Sequence, residues 1–221
     1  MCLGIFKLII LMNIYLIFKI MISIVIPVFN SEKTIEELVN RISNVFQNKD
    51  YEIILINDDS TDATHQICLK IFEKFSSLLS YIKLGKNVGE HNAVMAGLRL
   101  AEGDLILIMD DDLQTSPEEG LKLVEYANEN SFSVVYGKYN LKKHNFFRNL
   151  GSKINDLTAN LVLKKPKDLY LNSFKCIKKE LKQKIVEHSG PFTYIDGLIL
   201  SLTSNIGVLN IDHQERKLGR S

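Results

Sequence analysis

Residues Asp104–Gln114, with the sequence DLILIMDDDLQ, contain the pattern that decides the fold, because an apolar run leads directly into three consecutive aspartates. An uninterrupted apolar run of this length is typical of a strand buried on both faces of a parallel sheet. In open α/β sheets, ligands bind beyond the carboxyl ends of the strands. The sequence therefore predicts a buried strand that delivers Asp110, Asp111 and Asp112 to an edge where a ligand can bind.

Apolar runs alternate with amphipathic segments on both sides of this stretch. Further strands are predicted at residues 22–28, 51–56, 79–84, 132–136, 169–177 and 206–211. Helices are predicted at residues 31–46, with Ser31 as N-cap, and at 62–75, 91–101, 146–163, 178–188 and 195–203, with a helix start at 116–119. Strands that alternate with helices of this length predict an α/β fold: a Rossmann-like, mainly parallel sheet with helices on both faces.

The composition limits the classes of protein that the chain can belong to. The chain has 221 residues, enough for one sizeable domain. It carries 27 Lys plus Arg against 26 Asp plus Glu, which argues against a nucleic-acid binder that works by neutralising phosphates. No G-x-G-x-x-G follows the first strand, so a dinucleotide-dependent oxidoreductase is not expected. Cys2, Cys68 and Cys176 have neither a zinc nor a disulfide spacing, as is usual in a reducing compartment.

Residues 1–20 form an apolar segment, interrupted only by Lys7, Asn13 and Lys19, that leads into the first strand without a linker. Three interpretations stay open: a membrane anchor, a segment that lies at the membrane surface, and a wrongly assigned start with Met21 as the initiator. The domain proper is predicted to span residues 21–221.

Polar segments follow the first four strands, at residues 27–32, 57–62, 86–92 and 110–114. Because alternate side chains of an extended chain point the same way, Asp110 and Asp112 are expected to converge. Two neighbouring carboxylates repel each other unless a cation lies between them, and Mg²⁺ characteristically joins one or two carboxylates to substrate phosphates. The pattern favours a divalent metal site over the alternative, a solvated acidic turn. Asp58 is a candidate to accept hydrogen bonds from a base or ribose, or else an acid at a helix start.

These four segments, in this order, resemble the motifs of family 2 glycosyltransferases with the GT-A fold. The resemblance is greatest to the branch that uses polyprenyl phosphates, which includes dolichyl-phosphate mannose synthase and bacterial undecaprenyl-phosphate sugar transferases. Residues 112–118 and the terminal segment 213–221 are typical of that branch, and the resemblance covers residues 21–221.

The resemblance implies an inverting, metal-dependent transfer of a sugar from a nucleotide diphosphate sugar, with UDP favoured, to a polyprenyl phosphate. Such a reaction would serve cell-envelope glycan or lipid-linked sugar synthesis. It implies a peripheral or anchored protein at the cytoplasmic face of a membrane, with Mg²⁺ or Mn²⁺ as cofactor and no nucleic-acid partner.

The resemblance also assigns roles to single residues. The implied nucleoside and donor contacts are Pro27, Phe29, Asn30, Glu32, Asp58, Asp110 and Asp111. The metal would be held by Asp110 and Asp112. The implied catalytic residues are Asp112, Gln114 near the sugar or acceptor, and Arg216, which would contact phosphates when the terminal segment closes.

The chain departs from the family pattern in two places. Asp59 stands where the family often has glycine, and the chain stops at Ser221, where the family pattern usually continues. The expectation is a domain shortened at its carboxyl end. Two alternatives therefore stay open: a soluble family 2 transferase that extends a saccharide, for which Asp196 is the candidate base, and a non-catalytic nucleotide-binding remnant.

The segment at residues 138–148, rich in basic and aromatic side chains, suits contact with a membrane surface. An ordinary solvated loop explains the same composition equally well.

Overall fold

The computed structural model describes residues 20–139, 169, 171–190 and 193–212. In these ranges the strands are β1 (Met21–Val28), β2 (Asp50–Asn57), β3 (Leu79–Lys83), β4 (Leu105–Ile108), β5 (Val134–Tyr139), β6 (Lys175–Lys178) and β7 (Ile206–Ile211). The helices are α1 (Ile35–Val45), α2 (Thr64–Lys74), α3 (Glu90–Leu100), α4 (Pro117–Glu129), α5 (Lys179–Val186) and α6 (Ile195–Leu202).

The described strands form one seven-stranded sheet in the order β3-β2-β1-β4-β6-β5-β7. β1 runs parallel to β2 and β4, β2 runs parallel to β3, and β5 runs parallel to β7. β6 is the exception, because it runs antiparallel to both β4 and β5. The predicted α/β class with a mainly parallel sheet is confirmed.

The reversed direction of β6 decides what lies next to the three aspartates. Lys175, at the amino end of β6, pairs with Ile108, at the carboxyl end of β4. The residues that precede β6 are therefore brought to the same edge as the residues that follow β4. This edge is the one at which parallel strands present ligand-binding loops.

Two hydrophobic clusters cover the two faces of the sheet. Successive side chains of β1 point to opposite faces, so Ile24 and Ile26 join the cluster beneath α1, α2 and α4. Val25 joins the second cluster, beneath α3, α5 and α6. The helices on both faces explain why the central strands read as continuous apolar runs.

Several element boundaries differ from the predicted ones. The first helix begins at Ile35 after Thr34, so the prediction of Ser31 as its N-cap is wrong. The carbonyl of Ser31 accepts hydrogen bonds from the amides of Thr34 and Ile35, and its hydroxyl is used elsewhere. β5 begins two residues later than predicted, at Val134. β6 begins six residues later than predicted, at Lys175, and ends one residue later, at Lys178.

The predicted start of α4 is confirmed. The Ser116 hydroxyl accepts a hydrogen bond from the Glu119 amide at 3.3 Å, and Pro117 occupies the first turn. The predicted helix at 146–163, the segment 138–148 beyond Tyr139, residues 1–19 and the terminal segment 213–221 lie outside the described residues. In the described part of the chain, no helix is both long and apolar enough to cross a membrane.

The packing of α3 on the sheet depends on the absence of a side chain at Gly97. A Cβ atom there would lie 2.5 Å from Val25 Cγ1 and 3.3 Å from Ile56 Cγ1. Replacement of Gly97 by alanine should therefore lower the free energy of unfolding by about 1–2 kcal/mol, because the strain of overpacking exceeds the gain in helix propensity. Urea unfolding followed by circular dichroism measures this change.

The matched control is Gly120→Ala in α4, where the added Cβ would meet only the flexible end of Leu107, at 2.9 Å. Its expected effect is smaller than about 1 kcal/mol. A Gly97→Ala protein as stable as the unmodified protein would contradict the close packing of α3.

Candidate active site

The loops that follow β1, β2, β3 and β4, together with the start of α3 and the segment before β6, line a cavity of about 370 Å³. It is lined by Pro27, Val28, Phe29, Asp58, Asn87, Gly89, Glu90, Asp110, Asp111, Asp112 and Ser173. Six of the predicted site residues are among these: Pro27, Phe29, Asp58, Asp110, Asp111 and Asp112. Asn30, Glu32 and Gln114 are not among the lining residues, and Arg216 lies outside the described residues.

Asp111 joins the loop after β4 to the loop after β1. Its Oδ2 atom accepts a hydrogen bond from the Phe29 amide at 3.0 Å and another from the Ser31 hydroxyl. These bonds fix the backbone of Phe29, whose side chain is 47% exposed at the edge of the cavity. Asp111 therefore shapes the cavity wall as well as lining it.

Asn30 and Glu32 join the loop after β1 to the loop after β2. The Asn30 side-chain oxygen accepts from the Thr61 amide at 2.9 Å, and a Glu32 carboxylate oxygen accepts from the Ala63 amide at 3.1 Å. Asn30 has a φ of 52°, in the left-handed region that asparagine tolerates better than most residues. These contacts hold the loops together, and the implied nucleoside contacts of both side chains stay predictions.

Asp58 supports the floor of the cavity. Its two carboxylate oxygens accept hydrogen bonds from the amides of Val88 and Gly89, each at 2.8 Å, and the residue is only 4% exposed. Gly89 has a φ of 85°, which side chains rarely adopt, so glycine suits this turn into α3. Asp58 thereby fixes the turn that carries Glu90 into the cavity wall.

Asp110 lies on the side of the cavity nearest β6. Its Oδ2 atom accepts a hydrogen bond from the Ser173 hydroxyl at 2.5 Å. Burial raises the pKa of Asp110 to about 6, and the neighbouring charges of Glu90 and Asp112 act in the same direction against the Ser173 bond. The protein therefore compensates the negative charge of the Asp110 carboxylate only in part.

The negative charges of Asp111 and Glu90 are likewise compensated only in part. Burial raises the pKa of Asp111 to about 6, opposed by its bonds from Ser31 and Phe29. Burial also raises the pKa of Glu90, and the nearby Lys175 ammonium opposes that shift. A positive charge that entered the cavity would relieve the repulsion among these groups.

The donor atoms fit a hard divalent cation. Asp110 and Asp112 both line the cavity and offer carboxylate oxygens, which Mg²⁺ and Mn²⁺ prefer. Over residues 20–139, 169, 171–190 and 193–212, no group of three or more His, Cys, Asp or Glu side chains could hold a metal ion by itself. Mg²⁺ is typically bound by one or two carboxylates together with substrate phosphates, so Asp110 and Asp112 could hold such an ion with phosphate oxygens of a ligand.

A second cavity of about 210 Å³ adjoins the first, and Glu90 and Ser173 line both. Its other lining residues are His91, Val94, Ile108, Leu171, Asn172, Lys175, Tyr194, Ile195 and Asp196. The amino ends of α3 and α6 and the segment before β6 meet there.

A buried ion pair lies beside this second cavity. The Lys175 ammonium, in a residue only 2% exposed, donates to Asp196 Oδ1, and the Tyr136 hydroxyl donates to the same oxygen at 2.8 Å. Burial lowers the pKa of Lys175, and the Asp196 carboxylate opposes that shift. Asp196, considered above as a base, is thus already bound to two donors.

Sequence reasoning missed Ser173, Glu90 and Lys175 as residues of the two cavities. Glu90 belongs to the polar segment 86–92, so its position after a predicted strand could have identified it. The positions of Ser173 and Lys175 follow from the antiparallel pairing of β6 with β4, for which the sequence pattern gives no signal.

The model of glycosyl transferase family 2 matches residues 23–193. The chain belongs to this family. Relatives in it include the undecaprenyl-phosphate 4-deoxy-4-formamido-L-arabinose transferases of Salmonella typhimurium and Salmonella newport, each 31% identical over 207 residues. The match covers 90% of this chain and 62% of each relative, so the chain spans less than two thirds of the length of these transferases.

Solved structures with the same fold include a glucosyl-3-phosphoglycerate synthase and a mannosyl-3-phosphoglycerate synthase. Glucosyl-3-phosphoglycerate synthase from Mycobacterium tuberculosis, in complex with Mn²⁺, UDP-glucose and phosphoglyceric acid, has a TM-score of 0.63 at 19% identity over 89% of this chain and 72% of that chain. Mannosyl-3-phosphoglycerate synthase from Rubrobacter xylanophilus has a TM-score of 0.66 at 15% identity over 90% and 68%. At such identities the likeness concerns the fold, and the predicted GT-A fold is confirmed.

Asp58 and its neighbour Asp59 allow a direct test of the cavity floor in this family 2 protein. Replacement of Asp58 by asparagine should lower the free energy of unfolding by about 2–3 kcal/mol, since the amide cannot accept from both the Val88 and Gly89 amides. The measurement is urea unfolding of both variants at one pH.

The control is Asp59→Asn at a half-buried position with a φ of 57°, where asparagine is tolerated. It removes only the surface pair with Lys83, at 3.1 Å, and should change the free energy by less than about 1 kcal/mol. Equal losses in the free energy of unfolding for the two substitutions would show that the Asp58 hydrogen bonds do not stabilise the turn before α3.

Proposed function

We propose that the protein is an inverting glycosyltransferase that moves a sugar from a UDP-linked donor to a polyprenyl phosphate. The observation that carries this proposal is the partly compensated carboxylate set at the end of β4, which lines a cavity on the ligand-binding edge of the sheet. Family membership supports glycosyl transfer as the reaction class.

The donor would bind across the first cavity. Pro27, Phe29 and Asp58 line this cavity and would contact the nucleoside, and Asp110 and Asp112, which also line it, would lie near the diphosphate. A divalent cation held by these two carboxylates would supply positive charge to the leaving diphosphate. Gln114 lies two residues after Asp112, and its backbone N–H donates a hydrogen bond to Asp112 Oδ1 at 3.0 Å. For Arg216 we keep the role at the phosphates that the family resemblance implies.

In the proposed reaction, an acceptor oxygen forms a bond to the anomeric carbon while the bond from that carbon to the diphosphate oxygen breaks. The electron pair leaves with the diphosphate, and attack from the opposite side inverts the anomeric centre. The largest electrostatic demand is the charge that develops on the diphosphate, which is why cationic groups near Asp110 and Asp112 matter most.

The state of Asp196 supports a phosphate acceptor over a sugar hydroxyl. A hydroxyl acceptor needs a general base, whereas a phosphate monoester with a second pKa of ~6 is largely dianionic at neutral pH. Lys175 and Tyr136 both donate to Asp196 Oδ1, so they compete with an acceptor hydroxyl for that oxygen.

The comparisons support the identity of both substrates. The Salmonella relatives are named as undecaprenyl-phosphate transferases, and the M. tuberculosis synthase was crystallised with UDP-glucose and Mn²⁺. Because a polyprenyl chain resides in a bilayer, the protein would work at a membrane surface, at the cytoplasmic face where nucleotide sugars are made.

The test is transfer of labelled sugar from UDP-glucose, UDP-galactose, UDP-N-acetylglucosamine and GDP-mannose to undecaprenyl phosphate in the presence of Mn²⁺. Replacement of Asp112 by asparagine should lower the transfer rate by about 100-fold or more, because a ligand of the diphosphate-binding cation is lost. Its melting temperature should stay the same or rise, since the substitution removes like-charge repulsion.

The control is Asp104→Asn, which changes an aspartate just before β4, at the opposite end of that strand, and should leave the transfer rate unchanged. A large loss of stability in Asp112→Asn would make Asp112 a structural residue. Transfer to a free saccharide but not to undecaprenyl phosphate would favour the saccharide-extending alternative. Nucleotide binding without transfer to any acceptor would favour the non-catalytic one.

A further inference from the structure

Ser173 connects the segment before β6 to the aspartates that follow β4. Its hydroxyl donates a hydrogen bond to Asp110 Oδ2 at 2.5 Å, and both residues line the first cavity. The terminal torsion of an aspartate side chain has broad preferences, so the carboxylate rotates easily unless a partner holds it. A hydrogen bond to one oxygen fixes the direction of both oxygens. Ser173 therefore sets the rotation of the Asp110 carboxylate.

The chain on both sides of Ser173 is anchored to β5. Asn172 Nδ2 donates a hydrogen bond to the Gly137 carbonyl at 2.6 Å, and the Phe174 carbonyl accepts one from the Gly137 amide at 3.1 Å. The Phe174 side chain is fully buried in the core. These contacts hold the Ser173 hydroxyl beside Asp110 without help from a ligand.

The backbone that carries Asp110 is fixed separately. The amide of Met109 donates a hydrogen bond to the Val25 carbonyl at 3.2 Å, and the Met109 side chain is fully buried. The sheet thus places the Asp110 backbone, and Ser173 orients its carboxylate. The next residue, Asp111, is bound by different donors, so a change at Ser173 acts on Asp110 in particular.

Groups that hydrogen-bond to the ligands of a metal ion orient those ligands, and their loss typically weakens metal binding 10- to 100-fold. Such support matters most where the protein offers few ligands. At this site the candidate ligands are the carboxylates of Asp110 and Asp112, so a wrongly oriented Asp110 would remove a large share of the protein's contribution.

We propose that Ser173 is a positioning residue, whose hydroxyl holds the Asp110 carboxylate in the orientation in which it binds a divalent cation. This inference rests on the proposed function, because it takes Asp110 to be a ligand of that cation. Ser173 acts through Asp110 and contacts neither the cation nor the reacting atoms.

The experiment measures Mn²⁺ binding, in excess UDP, to the unmodified protein, Ser173→Ala and Ser173→Thr, from the electron paramagnetic resonance signal of free Mn²⁺. Ser173→Ala should raise the Kd for Mn²⁺ about 10-fold, whereas Ser173→Thr, which keeps the hydroxyl, should raise it less than about threefold. The titrations are made at pH 8, well above the Asp110 pKa of about 6, so that the carboxylate is ionised. A loss of affinity then reports its orientation.

The matched control is Ser23→Ala. The Ser23 hydroxyl also donates to a carboxylate, Glu52 Oε1 at 2.6 Å, but it lies near the amino end of β1 and lines neither cavity. Ser23→Ala should lower the free energy of unfolding, because the Gly103 amide loses its acceptor at 2.8 Å. It should nevertheless bind Mn²⁺ as the unmodified protein does, which separates a general loss of stability from a loss of orientation.

The outcomes separate this inference from the proposed function. Equal or tighter Mn²⁺ binding by Ser173→Ala would overturn the role of Ser173, and so would an equal loss in Ser173→Thr. An unmodified protein that does not bind Mn²⁺ in excess UDP would overturn the proposed cation site, and this inference with it. If Ser173→Ala does not fold, Ser173→Gly replaces it, with the same expected rise in Kd.

Discussion

Burial of several neighbouring carboxylates at the end of β4 is the constraint around which the rest of the site is arranged. Each acid has a different local partner: Asp111 accepts from the Phe29 amide and the Ser31 hydroxyl, and Asp110 accepts from Ser173. These neutral donors reduce the cost of burying the acids, and burial still raises the pKa of both Asp110 and Asp111 to about 6. The remaining charge imbalance favours the entry of a cation, which explains how an acidic cavity could bind an anionic diphosphate.

The loops around the aspartates are held by hydrogen bonds that cross from one loop to another. Asn30 and Glu32 bind the loop after β2, and Asp58 binds the turn before α3. Because parallel strands bring these loops to one edge, a few polar side chains suffice to fix the shape of the first cavity. The antiparallel strand β6 then adds Ser173 beside Asp110 and opens the second cavity.

The sequence predicts most of this fold because its central strands are buried on both faces and read as apolar runs. It also predicts that Asp58 and the three aspartates meet at one edge, since that follows from strand direction alone. It could not predict that the Ser31 hydroxyl bonds to Asp111 instead of capping α1, because both uses suit a serine after a strand. Ser173 and Asn172 line the second cavity because β6 pairs with β4 in the antiparallel direction. Local hydrophobic periodicity does not indicate the direction in which a strand pairs, so the sequence could not predict their positions.

We propose that Asp110 and Asp112 form an incomplete metal site that a nucleotide diphosphate completes. Titration of Mn²⁺ with and without saturating UDP measures the coupling between the two ligands. UDP is expected to tighten Mn²⁺ binding by about 10-fold or more, and Mn²⁺ is expected to tighten UDP binding by the same factor. Asp110→Asn is expected to remove this coupling. An Mn²⁺ affinity that is the same with and without UDP would contradict it.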